Sequence, residues 1–89
     1  MKEIEIINSI EQKVMSFNPK KYSVWTIGIT NNPDERRAKH DAENKNTKYW
    51  MYWAADNETI ARNVEKHFLD KGVQGGAGGG ENPTYVYIF

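Results

Sequence analysis

Arg36 and His40, two side chains of types that take part in catalysis and binding, stand four positions apart in a charged segment. On a helix this spacing places both side chains on one face. A guanidinium carries a planar fork of donors that suits a phosphate. The alternatives are a surface ion pair between Arg36 and a nearby carboxylate, such as Asp34, Glu35 or Asp41, and a purely structural role for His40.

Glu65 is a third candidate, because a carboxylate is unusual at its place on a predicted helix. At about 100° per residue, the apolar arc of this helix consists of Ile60, Ala61, Val64 and Phe68. Glu65 falls between Ala61 and Leu69, inside the apolar side of the helix. A carboxylate there needs a partner, a metal ion or a raised pKa. The alternative is a boundary glutamate that pairs with a lysine or an arginine.

The elements that position these side chains follow from hydrophobic periodicity and turn signals. A strand is predicted over residues 22–30, and its Gly28 allows another backbone or a ligand to come close. Thr30 and the two asparagines after it can cap a helix that begins at Pro33 and covers residues 33–43. The remaining predicted elements are a helix over residues 2–17, a strand over residues 48–55, a helix that follows Asp56 or Asn57 and ends before Gly72, and a strand over residues 85–89.

The segment from Gly28 to His40 resembles the second motif of the GIY-YIG nuclease family. That motif is a strand ending in Tyr-Ile-Gly, a short Thr-Asn turn, and a helix with a catalytic arginine. Arg36 matches the arginine, and His40 matches a position that is often histidine in the family. The resemblance implies that Arg36 holds a phosphate and stabilises the charge that grows in the transition state. Thr26 stands where the family motif has its tyrosine.

The resemblance extends to the helix that carries Glu65. The family places a metal-binding glutamate four residues after an alanine, and Ala61 and Glu65 keep that spacing. Glu65 is therefore the implied metal ligand and a catalytic residue. Mg²⁺ is the implied cofactor if the chain is active, because one carboxylate and several waters suffice for this ion.

The family's first strand, with its Gly-Ile-Tyr motif, has no counterpart in residues 16–21. We predict that residues 85–89 fill its place by pairing antiparallel with residues 23–29. Val86 and Ile88 then join the core, and Tyr85 lies beside Thr26 and points toward Arg36. On this interpretation Tyr85 takes the role of the Gly-Ile-Tyr tyrosine, and either Tyr85 or a water acts in deprotonation or attack. The alternative is an ordinary aromatic strand.

Two further segments have a functional and a structural interpretation. The glycine-rich stretch 75–80 can suggest a phosphate cradle, but no strand leads into it and no Lys-Ser or Lys-Thr follows, so a flexible connector is expected. The aromatic residues of the strand over residues 48–55 can stack on bases. Alternation divides them between two faces, one of which is expected to be core.

Composition limits the class of protein. The 89 residues predict a single domain over residues 1–89, with no cysteine for a disulfide or a thiolate metal site. We expect a cytoplasmic monomer without a membrane segment. The charge is balanced, with 12 basic and 12 acidic residues, which argues against a general nucleic-acid binder without excluding a local basic patch.

Together these patterns predict a small α/β (α+β) domain with three helices and a three-stranded, mainly antiparallel sheet, similar to the GIY-YIG fold. Two functions remain open. One is metal-dependent phosphodiester cleavage of a nucleic acid by Arg36, Glu65, His40 and Tyr85. The other is a catalytically inactive interaction module, with a protein partner that the sequence does not identify. Thr26, the neutral charge and the missing first motif favour the inactive module, since a threonine hydroxyl is a poor general base.

Overall fold

A computed structural model of the chain describes residues 1–18, 20–76 and 80–89. In chain order its elements are α1 (Glu3–Met15), β1 (Thr26–Thr30), α2 (Pro33–Ala42), β2 (Met51–Ala54), α3 (Glu58–Leu69), β3 (Gln74–Gly75) and β4 (Tyr85–Ile88). Within these described ranges, three helices and a mixed four-stranded sheet form a small α+β fold. In the same ranges, no helix is both long enough and apolar enough to cross a bilayer.

The sheet has the strand order β2-β4-β1-β3. The central strand β4 pairs antiparallel with both β1 and β2, which confirms the predicted antiparallel pairing of the last residues with the first strand. The prediction of three strands is wrong, because β3 adds a fourth strand parallel to β1. Two residues are too few to give a strand signal in the sequence. Gly72, with φ at +102°, turns the chain after α3 so that β3 can reach the edge of β1.

The register of β1 and β4 fixes which side chains share a face. Ile27 lies opposite Ile88 and Ile29 lies opposite Val86, so the prediction that Val86 and Ile88 join the core is confirmed. The expected neighbour of Tyr85 is wrong, since Tyr85 lies opposite Thr30. Phe89 takes the place opposite Thr26, with backbone hydrogen bonds of 2.7 and 3.0 Å between the two residues.

The hydrophobic core lies on one face of the sheet, where α1 and α3 pack together. Its helical members are Ile6, Ile10 and Val14 of α1 and Ala61, Val64 and Phe68 of α3. The other face of the sheet carries Gly28, Thr30, Tyr85 and Tyr87 and lies against α2, whose His40 contacts the Tyr87 ring. A side chain on this second face is therefore close to the residues of α2.

Two predicted strands are shorter than expected. In the segment 22–30, residues Tyr22–Val24 form one turn of 3-10 helix, and the strand begins only at Thr26. In the segment 48–55, only Met51–Ala54 pairs with β4. The glycine-rich connector falls partly outside the described residues, which resume at Gly80.

Candidate active site

The turn between β1 and α2 orients the first two candidate side chains. The Thr30 hydroxyl accepts a hydrogen bond from the Asn32 amide at 3.1 Å, and the Asn32 side chain accepts one from the Glu35 amide at 3.1 Å. Asn32 is thus the N-cap of α2, with a proline in the first turn. From this fixed start, Arg36 is half-buried and His40 is fully buried against the sheet.

Tyr87 lies at the centre of the sheet face that α2 covers, and its side chain is completely buried. Its ring stacks on Trp50 at a centroid distance of 4.5 Å and an angle of 17°. Two glycines give it room. A Cβ atom built on Gly76 would lie 2.6 Å from the Tyr87 hydroxyl oxygen, and one built on Gly28 would lie 2.8 Å from the ring carbon Cε2. Side chains at either glycine would therefore collide with the ring.

The Tyr87 hydroxyl lies near both α2 side chains. The hydroxyl oxygen is 3.0 Å from His40 Nε2, and the Arg36 guanidinium acts to lower the pKa of the phenol. A guanidinium has only donors, so Arg36 can only donate to the oxygen, and the hydroxyl proton is available for His40 Nε2. This arrangement requires the proton of a neutral His40 ring on Nδ1, which lies 3.8 Å from a Glu43 carboxylate oxygen.

The protonation states follow from burial and from neighbouring charges. Burial raises the pKa of the Tyr87 phenol, while the Arg36 guanidinium acts in the opposite direction. Burial and the positive charge of Lys45 lower the pKa of the His40 imidazole below its ordinary value. His40 is therefore neutral at pH 7 and has a free lone pair for the Tyr87 proton.

Glu65, on α3, interacts electrostatically with the same phenol. It is half-buried, and burial raises the pKa of its carboxyl group, with Arg62 opposing this effect. Arg62 is held by Glu58 through a hydrogen bond of 2.8 Å. The Glu65 charge is close enough to raise the pKa of the Tyr87 phenol. Four side chains from three elements, Arg36, His40, Glu65 and Tyr87, thus interact through one contact and through their charges; we call them the Tyr87 cluster.

The donor set around Glu65 suits a hard cation that keeps most of its water. No group of three or more histidine, cysteine or acidic side chains converges anywhere in residues 1–18, 20–76 and 80–89. A structural zinc or calcium site is built differently, from several protein ligands. A half-buried carboxylate is stabilised by a cation beside it, and Mg²⁺ is commonly held by one or two carboxylates plus water. One half-buried carboxylate, Glu65, is compatible with Mg²⁺ that keeps most of its water.

Of the predicted site residues, His40 lies 3.0 Å from the Tyr87 hydroxyl, and the charges of Arg36 and Glu65 act on the pKa of the Tyr87 phenol. It places Tyr85 two residues earlier on β4, half-buried, with its ring 5.9 Å from that of Tyr52. Sequence reasoning missed Tyr87, although both tyrosines lie on the same face of β4. Gly28 could have indicated Tyr87, because a large ring opposite a strand glycine fills the space that the glycine leaves.

Comparison of the chain with protein-family models, curated proteins and solved structures finds no match.

Proposed function

We propose that this protein is a metal-dependent nuclease of the GIY-YIG type, which cleaves a phosphodiester bond of a nucleic acid. One observation carries the proposal: a buried tyrosine hydroxyl lies 3.0 Å from a neutral histidine, with an arginine near enough to act on the pKa of the phenol. A phenol held in this way by strand, helix and glycines has a fixed position for proton transfer. The segment from Gly28 to His40, which resembles the family's second motif, supplies both α2 partners.

The place of Tyr87 also supports the family proposal. In Tyr85-Val86-Tyr87 the last residue stands where a Gly-Ile-Tyr motif has its tyrosine, and β4 pairs antiparallel with β1 as a first-motif strand would. On this proposal the chain carries the family's first strand after its other elements instead of before them. Tyr87 then replaces Tyr85 as the candidate catalytic tyrosine.

The proposed reaction uses the Tyr87 cluster as a proton relay. A water attacks the phosphorus and gives a proton to the Tyr87 oxygen, while the Tyr87 proton passes to His40 Nε2. The bond from phosphorus to the leaving oxygen breaks, and that oxygen takes a proton from solvent. Arg36, at the edge of a small depression beside Thr30 and Lys39, binds the non-bridging oxygens. Mg²⁺ on Glu65, when bound, supplies positive charge to the phosphate and the leaving group.

A catalytically inactive interaction module is the second candidate, and Thr26 is the observation that favours it. Thr26 lies on the same face of β1 as Gly28, two residues before it, where the family motif has a tyrosine. The balanced charge of the chain points the same way, since phosphate neutralisation drives much of nucleic-acid affinity. A module of this kind would keep the fold and the Tyr87 cluster without cleavage.

The decisive experiment is cleavage of a supercoiled plasmid and of a labelled single-stranded oligonucleotide with Mg²⁺ or Mn²⁺, compared with EDTA. Wild-type protein is expected to cleave only with the metal, and Glu65→Gln is expected to abolish this metal-dependent cleavage. Tyr87→Phe removes the relay hydroxyl and should lower the rate by about 100-fold or more.

Tyr85→Phe is the matched control, because Tyr85 lies on the same strand and the same face. It should keep nearly the full rate. A reversed result, with Tyr85→Phe inactive and Tyr87→Phe active, would refute the assigned roles. Absence of metal-dependent cleavage by the wild type would refute the nuclease itself and leave the interaction module.

A further inference from the structure

A second concavity lies at the end of the sheet where β1 begins and β4 ends. It has a volume of about 480 Å³, and four aromatic rings line it: Phe17, Trp25, Tyr49 and Phe89. The Phe17 ring meets Trp25 at 5.0 Å and Tyr49 at 4.7 Å, both edge to face. We call this concavity the aromatic cleft. Its volume falls within the range of about 300–1,000 Å³ typical of small-ligand sites.

The aromatic cleft adjoins the Tyr87 cluster. Phe89 lines the cleft, and its ring lies 4.7 Å from the His40 ring and 6.1 Å from the Tyr87 ring. Thr26 also lines the cleft, and Gly75 does so beside the Gly76 that accommodates the Tyr87 hydroxyl. A ligand that reached from the cleft to the Tyr87 cluster would pass the Phe89 ring.

The lysines near the aromatic cleft favour binding of an anionic ligand. Lys45 lines it, Lys13 Nζ lies 5.2 Å from the centroid of the Phe17 ring, and Lys48 Nζ lies 5.4 Å from that of the Tyr49 ring. Glu43 offsets part of this charge, since its carboxylate is 4.0 Å from Lys45 Nζ. A cationic ligand would be repelled by one lysine that lines the cleft and two that lie over its lining rings, whereas an aromatic ligand with a phosphate would meet complementary charge.

Polar groups in the cleft can form hydrogen bonds with the edge of a planar ring. The amide side chains of Asn18, Asn46 and Gln74 line it and carry both donors and acceptors. Asn46 Oδ1 already accepts from the Lys48 amide and Gln74 Nε2 already donates to the Ser23 carbonyl, which leaves the Asn46 amide nitrogen and the Gln74 amide oxygen for a ligand. The indole N–H of Trp25 is buried and has no hydrogen-bond partner among the described residues. Aromatic walls, amide edges and flanking lysines are the features that single-stranded nucleic-acid sites combine.

We infer that the aromatic cleft binds one unpaired nucleobase of a single-stranded nucleic acid, next to the phosphate whose hydrolysis the Tyr87 cluster would assist. The position of that phosphate rests on the proposed nuclease function. A base inside a duplex is stacked between its neighbours and cannot enter a cleft of this kind unless it is extruded. The inference therefore assigns single-stranded or locally unpaired nucleic acid as the substrate class.

The test is binding of a fluorescein-labelled hexathymidylate to the protein in EDTA, where cleavage does not occur. Tyr49 and Tyr52 provide a matched pair, because both are tyrosines of similar exposure, 45% and 46%, and only Tyr49 lines the cleft. Tyr49→Ala should weaken binding by roughly 5- to 100-fold, the loss expected for one stacked base. Tyr52→Ala should change it by less than about 2-fold. Equal effects of the two substitutions would overturn the inference.

Three further probes test whether binding depends on the base, on the charged backbone alone, or on a free nucleotide. A hexamer of abasic sites has the same charge without bases and should bind at least about 5-fold more weakly, with no further loss in Tyr49→Ala. A hairpin duplex should also bind more weakly than hexathymidylate. Equal affinity for either probe would show that charge alone drives binding and would overturn the inference.

Thymidine 5′-monophosphate tests whether the aromatic cleft binds a free nucleotide or a nucleic-acid strand. It should bind more weakly than hexathymidylate, and equal affinity would overturn the assignment to a strand. Failure of the nuclease is seen separately, as a plasmid and a single-stranded oligonucleotide that both stay intact with Mg²⁺. That result would leave a Tyr49-dependent affinity standing.

Discussion

The substitution Gly28→Ala tests the geometry of the Tyr87 cluster most directly. A Cβ atom at position 28 would lie 2.8 Å from Tyr87 Cε2 and still closer to the outer end of the ring. The ring cannot easily move away, because Tyr87 is completely buried and Trp50 stacks on it at 4.5 Å. Overpacking of this kind costs about 1–3 kcal/mol. Displacement of the hydroxyl from His40 Nε2 would add about 1 kcal/mol for the lost hydrogen bond.

The expected total of about 2–4 kcal/mol is large for a protein of this size. A change of 1 kcal/mol lowers the Tm of a domain of 60–100 residues by about 4–8 °C. Gly28→Ala should therefore lower the Tm by about 10 °C or more, and the free energy of unfolding in urea should fall in parallel. Cleavage should fall as well, because the relay needs the contact between Tyr87 and His40.

A double-mutant cycle with Tyr87→Leu identifies the cause of this loss. Leucine lacks the outer ring atoms that the new methyl group would meet, so Gly28→Ala should cost less than about 0.5 kcal/mol in that background. Gly75→Ala is the control for a glycine in a strand, since a Cβ there lies an ordinary 3.5 Å from Leu69 Cδ2. An equal cost of Gly28→Ala in both backgrounds would refute the steric argument.

Two predictions concern pH and charge. Burial lowers the pKa of His40 in the folded state, so its contribution to stability is complete above the ordinary value of 6.5 and is lost as pH falls toward the folded value. The urea midpoint should drop between pH 7.5 and pH 5, and His40→Gln should drop less; an equal drop would contradict the prediction. Burial raises the pKa of Glu65, so its ionised form destabilises the folded state at pH 7. Glu65→Gln should therefore raise the urea midpoint at pH 7 but not at pH 4, and a lower midpoint at pH 7 would contradict this reasoning.

Local signals in the sequence predicted the elements well. The cap at Asn32 and the proline after it located α2, and with it the common face of Arg36 and His40. Asn57 likewise caps α3, on which Glu65 is half-buried beside the apolar face. These features depend on neighbours within one or two helical turns, and such interactions can be read from a single sequence.

The missed features depend on pairings between distant segments. Sequence alone did not fix the register between β1 and β4, and a difference of a few residues decides whether Tyr85 or Tyr87 faces Gly28. The two-residue strand β3 likewise exists only because β1 offers it an edge. The aromatic cleft joins Phe17, Tyr49 and Phe89 from three separate parts of the chain, so no local pattern marks it.

The strand order β2-β4-β1-β3 has a consequence for how the protein acquires its site. The paired residues of the sheet lie about 30 to 60 positions apart along the chain, so none of these pairings is a hairpin that can form early by local closure. Each pairing must instead overcome the entropy of closing a long loop. Because β4 joins β1 to β2 and also carries Tyr87, assembly of the sheet and assembly of the Tyr87 cluster are one event. A partly folded chain without β4 would lack the Tyr87 hydroxyl, so the cleavage proposed for this protein would require the fully folded state.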